Sequence, residues 1–217
     1  MKDKHLKIRI EQCLLLATAS NCPRRKFGAL LVDPARNVVL MDAYNGGPRG
    51  ADGPLCGGYF CERDGLKAEE LQVIGEDTTW GVKHVPSGMP LWMPEGRFCD
   101  SQAEAEGIRQ QFLIKYPGVK SGTHMEVGCH HSESNVICNA AAAGVRTQGG
   151  MLIVTGEPCM MCAKLIHHAG IAEVILVKGG YAGGRQGVEY LTRNGVECTE
   201  VDGPEDPRAT RAPGVSP

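Results

Sequence analysis

Apolar and polar positions alternate in two rhythms along this chain. From Lys4 to Ala19 the apolar residues fall at Leu6, Ile8, Ile10, Cys13, Leu14, Leu15, Leu16 and Ala17, which predicts a helix with a wide apolar face. Ser20-Asn21-Cys22-Pro23 ends it. Phe27 to Val32 and Val38 to Met41 are strand-like runs with the turn Asp33-Pro34-Ala35-Arg36-Asn37 between them, which predicts a hairpin. The second run leads into a glycine-rich loop, Tyr44-Asn45-Gly46-Gly47-Pro48-Arg49-Gly50. Residues 51 to 125 then lose clear periodicity, and Ser101 to Tyr116 is the one convincing helix there. Regular patterning returns at His131. Helices are expected over Ser132–Ala143 and Cys159–Ala169, a helical turn over Gly187–Arg193, and strands over Met151–Thr155, Val174–Val177 and Val196–Val201.

An N-terminal hairpin followed by alternating helix and strand predicts an α/β fold, a mixed sheet with helices on both faces. Residues 1–202 are expected to form a single domain carrying an insertion at 51–125. Residues 203–217 contain four prolines and few apolar side chains, and are expected to be a flexible tail.

Composition narrows the function classes. The chain has 217 residues, is 42% hydrophobic and carries a net charge of −2, so no broad electropositive surface is implied. Aromatic residues make up only 5%, which offers no stacking platform for single-stranded nucleic acid. The start is charged, and no apolar segment is long enough for a signal or a membrane span, so a cytoplasmic protein is expected. Ten cysteines at this length fall short of a disulfide scaffold, so clustered Cys and His read first as metal ligands or buried thiols. Cys13, Cys138 and Cys198 sit among apolar neighbours and read as small buried hydrophobes.

The chemistry concentrates in His131-Ser132-Glu133 and, 25 residues on, Pro158-Cys159-Met160-Met161-Cys162. Cys159 and Cys162 lie three apart at a helix start, share a face, and sit where the helix dipole favours thiolate. With His131 they supply three ligands for a tetrahedral zinc and leave the fourth position open, as catalytic zinc requires. Water in an open position is acidified by the metal. Glu133, two residues from the ligand His131, is placed to move protons to and from that water. The alternative is a packed core histidine beside half of a zinc knuckle. The H-x-E and P-C-x-x-C pair is the signature of zinc nucleobase deaminases.

On these motifs the sequence resembles the cytidine/deoxycytidylate deaminase superfamily. Phe27–Val32 with the Asn45 loop, His131-Ser132-Glu133-Ser134-Asn135, and Pro158–Ile171 continuing to Tyr181 look like its deoxycytidylate branch. The resemblance covers most of residues 1–50 and 128–200. It implies a three-layer fold with a five-stranded sheet between helices, a bound catalytic zinc, a nucleotide substrate such as dCMP, and a homo-oligomer. It also implies effectors such as dCTP and dTTP. It implies that Asn45 contacts the sugar and that the backbone near Ala29 meets the base edge; for Asn45, a plain Asn-Gly turn is the alternative. Arg24, Arg25 and Arg49 suit a phosphate, or form solvated basic turns. Tyr181 either stacks on the base or simply packs. In some phage-type relatives a second, structural zinc is held at places matched here by Cys22, Cys56, His124 and Cys129; unlinked thiols and a surface histidine are the alternative.

Two departures bear on the substrate. Ser132 stands where the family usually has Ala. The run Glu157-Pro158-Cys159-Met160-Met161-Cys162 also looks like the branch acting on tRNA adenosine, guanine or riboflavin precursors. A free nucleoside or base, a triphosphate, a modified cytidylate or an adenine-type ring therefore stays open, as does, more remotely, a nucleic-acid editor.

Overall fold

A computed structural model describes residues 1–47, 60–61, 63–91, 98–118, 129–178 and 185–202. The chain separates into two compact units, one formed by Met1–Ser20, Arg24–Gly46 and His130–Pro217, the other by Asn21–Pro23 and Gly47–Cys129.

The first unit is built on a five-stranded sheet. Helix α1 (Asp3–Ala17) precedes the hairpin β1 (Gly28–Asp33) and β2 (Val38–Tyr44). After the second unit come α3 (Ser132–Ala142), β6 (Met151–Val154), α4 (Met160–His168), β7 (Glu173–Val177), α5 (Arg185–Arg193) and β8 (Glu197–Val201). The strand order is β2-β1-β6-β7-β8. β1 runs antiparallel to β2 and β6, while β6, β7 and β8 are parallel. Both faces are covered, so the central strands are apolar throughout: every residue of β6, and Gly28 to Val32 of β1, is buried. Successive side chains divide between the faces. Leu30, Val32, Met151, Ile153, Ile175 and Val177 pack with Ile10 and Cys13 of α1. Ala29, Leu31, Leu152, Val154, Val174 and Leu176 pack with Val136 and Ala140 of α3, Ala163 and Ile166 of α4, and Leu191 of α5. The expected three-layer α/β arrangement is found, with one helix on one face and three on the other.

This topology brings several chain segments to one end of the sheet. β1 enters where β6 leaves, with Ala29 opposite Val154. Thr155 just beyond β6 accepts a hydrogen bond from Gly28 N at its Oγ1 (2.9 Å) and donates its own N–H to Gly28 O (3.2 Å). β2 ends at Tyr44 opposite Gly28. Gly46 and His130 then exchange backbone hydrogen bonds of 3.1 and 2.7 Å, which ties the Asn45 loop to the entrance of α3. The ligand-binding end of an α/β sheet is the end where its parallel strands terminate, and these segments meet there.

The second unit contains β3 (Leu71–Glu76), β4 (Thr79–His84), β5 (Met89–Leu91) and α2 (Gln102–Lys115). The helix matches its sequence expectation. The three-stranded antiparallel sheet β3-β4-β5 does not: strands stand where the pattern predicted irregular chain. The alternation that should mark β3 is blurred, because Ile74 is exposed while Leu71 and Val73 turn toward the core. Gly75, with φ 149° and Thr79 O 2.2 Å from where a Cβ would sit, further disguises the strand.

The cysteines divide differently from expectation. Cys13 is fully buried, donates to Ile153 O, and burial pushes its thiol up to about 12. Cys198 is half-buried, but Cys138 is exposed on the solvent side of α3, since the helix turns Val136 and Ala140 inward instead. Alkylation of the folded protein near pH 8 is therefore expected to modify Cys138 and to leave Cys13 at least about tenfold slower, with protection lost in denaturant; peptide mass spectrometry reads both.

Candidate zinc active centre

Two helix starts form the site. His131 is the residue before the first turn of α3, with extended backbone (φ −76°, ψ 150°), and Cys159 holds the same place before α4 (φ −67°, ψ 167°). Each carbonyl accepts the first helical hydrogen bond, from Asn135 N (2.9 Å) and Ala163 N (2.8 Å). Neither side chain caps its own helix. Cys162 lies on the next turn of α4, on the same face as Cys159.

The ligand atoms of His131, Cys159 and Cys162 lie within 4.8 Å of one another, and among the described residues they are the one group so arranged. His131 Nδ1 is 3.5 Å from each sulfur. Ordinary Zn–N and Zn–S lengths at a tetrahedral angle require an N···S separation of about 3.6 Å, so the imidazole stands at a zinc-compatible distance from each sulfur. Exposure falls from the open His131 through the half-buried Cys159 to the buried Cys162.

Electrostatics agree with the donor set. A hydrogen bond from Cys162, helped by the neighbouring imidazole, holds Cys159 far below the usual thiol range. Cys162, donating to that thiolate and buried, is held above its usual range. A bound cation removes the need to share one proton, because a coordinating thiol is deprotonated outright.

Glu133 sits in the first turn of α3 and is 7% exposed. Burial raises its pKa against the opposing pull of its own backbone N–H, of His131 and of Ser132. Ser132 Oγ donates to Glu133 Oε2 at 2.9 Å. The departure from alanine thus adds a partner for the carboxylate, which spacing and residue type did not reveal.

Asn45 is buried, and its amide grips the chain before β1. Oδ1 accepts from Phe27 N (2.7 Å) and Nδ2 donates to Arg25 O (2.9 Å). Ser20 Oγ donates to Asn45 O (2.7 Å). Asn135 Nδ2 donates to Tyr44 O (2.8 Å), fastening α3 beside the same loop. Ala29 is fully buried at the start of β1, and Arg24 and Arg25 are exposed just before it. Arg49, Cys56, His124 and Tyr181 lie outside the described residues. Of the set matched to a structural zinc, Cys22 is buried and Cys129 half-buried, both in the second unit.

Residues 4–178 match the family described as the cytidine and deoxycytidylate deaminase zinc-binding region. The deoxycytidylate deaminase of Enterobacteria phage T4 is 27% identical over 188 residues, covering 86% of this chain and 84% of that protein. Among solved structures, the dCMP deaminase of cyanophage S-TIM5 in complex with dCMP and dUMP superposes with a TM-score of 0.55 at 19% identity, covering 93% of this chain and 99% of that one. Its apo form gives 0.53 at 18% identity, covering 93% and 100%. The fold is shared with those enzymes, and on the match of residues 4–178 the chain belongs to the cytidine and deoxycytidylate deaminase family of zinc-dependent enzymes.

Proposed function

We propose that the chain hydrolyses dCMP to dUMP and ammonia, with zinc held by His131, Cys159 and Cys162 and with Glu133 carrying the protons. The observation that carries this is the convergence of one imidazole nitrogen and two sulfurs at zinc-compatible distances, with a buried carboxylate two residues from the imidazole. The phage T4 relative, a deoxycytidylate deaminase, supports the choice of substrate.

A bound zinc supplies the Lewis acidity that makes water a nucleophile near neutral pH. The remaining steps fall to the chain. Glu133 takes a proton from the attacking water and passes it to the ring nitrogen N3 as the C4–O bond forms. It then takes the second proton of the water and delivers it to the amino group as the C4–N bond breaks, so ammonia leaves and a C4 carbonyl remains. A carboxyl whose pKa is raised by burial suits both directions of transfer. Ser132 Oγ restrains the carboxyl between the two transfers.

Asn45 has one further amide hydrogen and one further oxygen lone pair beyond its bonds to Arg25 and Phe27, enough for a sugar hydroxyl. The backbone at Ala29 borders the base, and Arg24 and Arg25 receive the phosphate on a segment braced by that same amide. In the same scheme Arg49 is offered for the phosphate and Tyr181 for stacking on the base, and Cys22, Cys56, His124 and Cys129 are the ligands offered for a structural zinc. A cytoplasmic location fits thiolate ligands that must stay reduced.

An oligomer of identical chains is supported by α4, whose Met161 and Leu165 are 59% and 40% exposed one turn apart. Sedimentation at micromolar concentration is expected to show an assembly that Met161→Glu with Leu165→Glu weakens. A wild-type monomer would remove this element.

Glu133→Ala is expected to keep fold and zinc while kcat falls by about 10²–10⁴-fold, and Cys162→Ser to lose zinc as well. Metal content and ammonia release together read the two. Full turnover by Glu133→Ala would take the carboxyl out of the mechanism. Substrate choice is tested by comparing dCMP with deoxycytidine. The nucleotide is expected to be preferred, and Arg25→Ala to reduce that preference by about tenfold, one lost charge-assisted contact being about 1.5 kcal/mol or more. Equal kcat/KM for nucleoside and nucleotide would refute the phosphate pocket.

A further inference from the structure

Gly187 stands in the first turn of α5, buried, with Leu191 one turn on in the core. Glycine is the weakest helix former after proline, so its place inside a helix calls for a cause. Backbone conformation is not the cause, since Gly187 is not among the positive-φ glycines. Space is. A Cβ at Gly187 would lie 2.0 Å from Pro158 O, 3.0 Å from Pro158 C and 3.1 Å from Cys159 C. The nearest of these is about 1.4 Å short of ordinary contact, and every atom met is backbone rather than a side-chain end that could swing aside.

The backbone in question delivers the zinc ligands. Pro158 fixes the approach to α4, Cys159 is the extended residue whose carbonyl starts the helix, and Cys162 rides on the next turn. α4 and α5 also pack through the edge-on rings of His167 and Tyr190, with centroids 6.0 Å apart, which holds α5 against α4. α5 therefore acts as a backstop for the ligand turn, and the missing side chain at 187 sets how closely that turn can be pressed.

We propose that Gly187 is a positioning residue for the metal centre: the bare Cα of α5 lets the Pro158–Cys159 backbone sit where both sulfurs reach His131 Nδ1. It rests on the assignment of Cys159 and Cys162 as zinc ligands. Outer groups that orient ligands typically influence metal affinity by 10–100-fold, and a misplacement near 1 Å costs catalysis about 10²-fold.

The test uses the full-length chain with zinc alone and with cobalt alone as probes. Gly187→Ala is expected to fold, to bind zinc 10–100-fold more weakly in competition with a chromophoric chelator, and to shift the visible bands of the cobalt form. Its thermal midpoint should fall more in the zinc-loaded than in the metal-free protein. Two outcomes overturn the proposal. One is wild-type zinc affinity and cobalt bands with equal loss of stability in both forms, which would make Gly187 a packing residue only. The other is a variant that does not fold, because the displacement is assigned to the ligand turn alone. Cys159→Ser is measured alongside. If it retains wild-type zinc affinity, the ligand assignment itself falls. If it loses zinc while Gly187→Ala matches wild type, the assignment stands and only the role of Gly187 falls.

Discussion

Three ligand atoms from two separate helices must fall within a few ångströms of one another, and the first unit is organised around meeting that condition. A helix start is a suitable place for it. The backbone N–H groups there lack helical partners and favour negative charge, so the Cys159 thiolate is stabilised before any metal arrives. His131 and Cys159 each stand one residue ahead of a helix, in extended backbone, with the carbonyl already committed to the first turn. A side chain at that point projects past the helix end rather than along its flank. Two helices starting at the same end of one sheet can then share an ion, whereas either alone could not complete the set.

What keeps the helix starts together is the sheet rather than the metal ligands. β6 hands the chain to α4 through Thr155, whose two hydrogen bonds to Gly28 lock that exit to the start of β1. α3 is fastened along β2 by Asn135 to Tyr44 O and Asn139 to Asp42 O. Beneath both helices, Val136, Ala140, Ala163 and Ile166 bury against Ala29, Leu31, Leu152 and Val154. Small residues at 29, 140 and 163 let helix and sheet approach closely, and the larger neighbours fill the space between them. Burial beside this close-packed apolar floor also accounts for Glu133. A carboxyl over such a floor loses hydration, its neutral form is favoured, and its pKa rises.

The sequence carried the metal centre more completely than the rest because its requirements are local. His131, Glu133, Cys159 and Cys162 are specified by residue type and by spacings within one helical turn, and the strands that support them are continuous apolar runs such as Leu30 to Val32 and Met151 to Val154. The second unit was less legible. Its strands are half-buried, Ile74 breaks the alternation, and Gly75 and Gly81 sit within the strands. Gly81 is nonetheless buried, with the Phe98 ring 3.6 Å from where its Cβ would be, a contact between segments far apart in sequence. Gly187 is not legible for the same reason: nothing local to Arg185–Arg193 records the nearness of Pro158. Cys138 is exposed despite its apolar neighbours, because neighbours in sequence do not say which side of a helix a residue occupies.

A chain of net charge −2 has no global field with which to gather an anionic substrate, so selectivity for a phosphate has to be built locally. Arg24, Arg25 and Lys26 stand consecutively just before β1, and Lys26 Nζ is drawn to Thr18 O (3.2 Å). A surface cation discriminates a phosphate weakly when its ordering has to occur at the moment of binding. The Asn45 amide removes part of that cost by holding the backbone at Arg25 and Phe27 on either side of Lys26, and Ser20 in turn holds Asn45. The asparagine therefore serves the substrate in two ways under the proposed function. Its remaining hydrogen-bonding capacity would serve a sugar hydroxyl, and its occupied capacity holds the backbone that carries Arg25. Replacing it with aspartate would remove the donor to Arg25 O and place a negative charge beside the cationic run, so binding and local order should decline together.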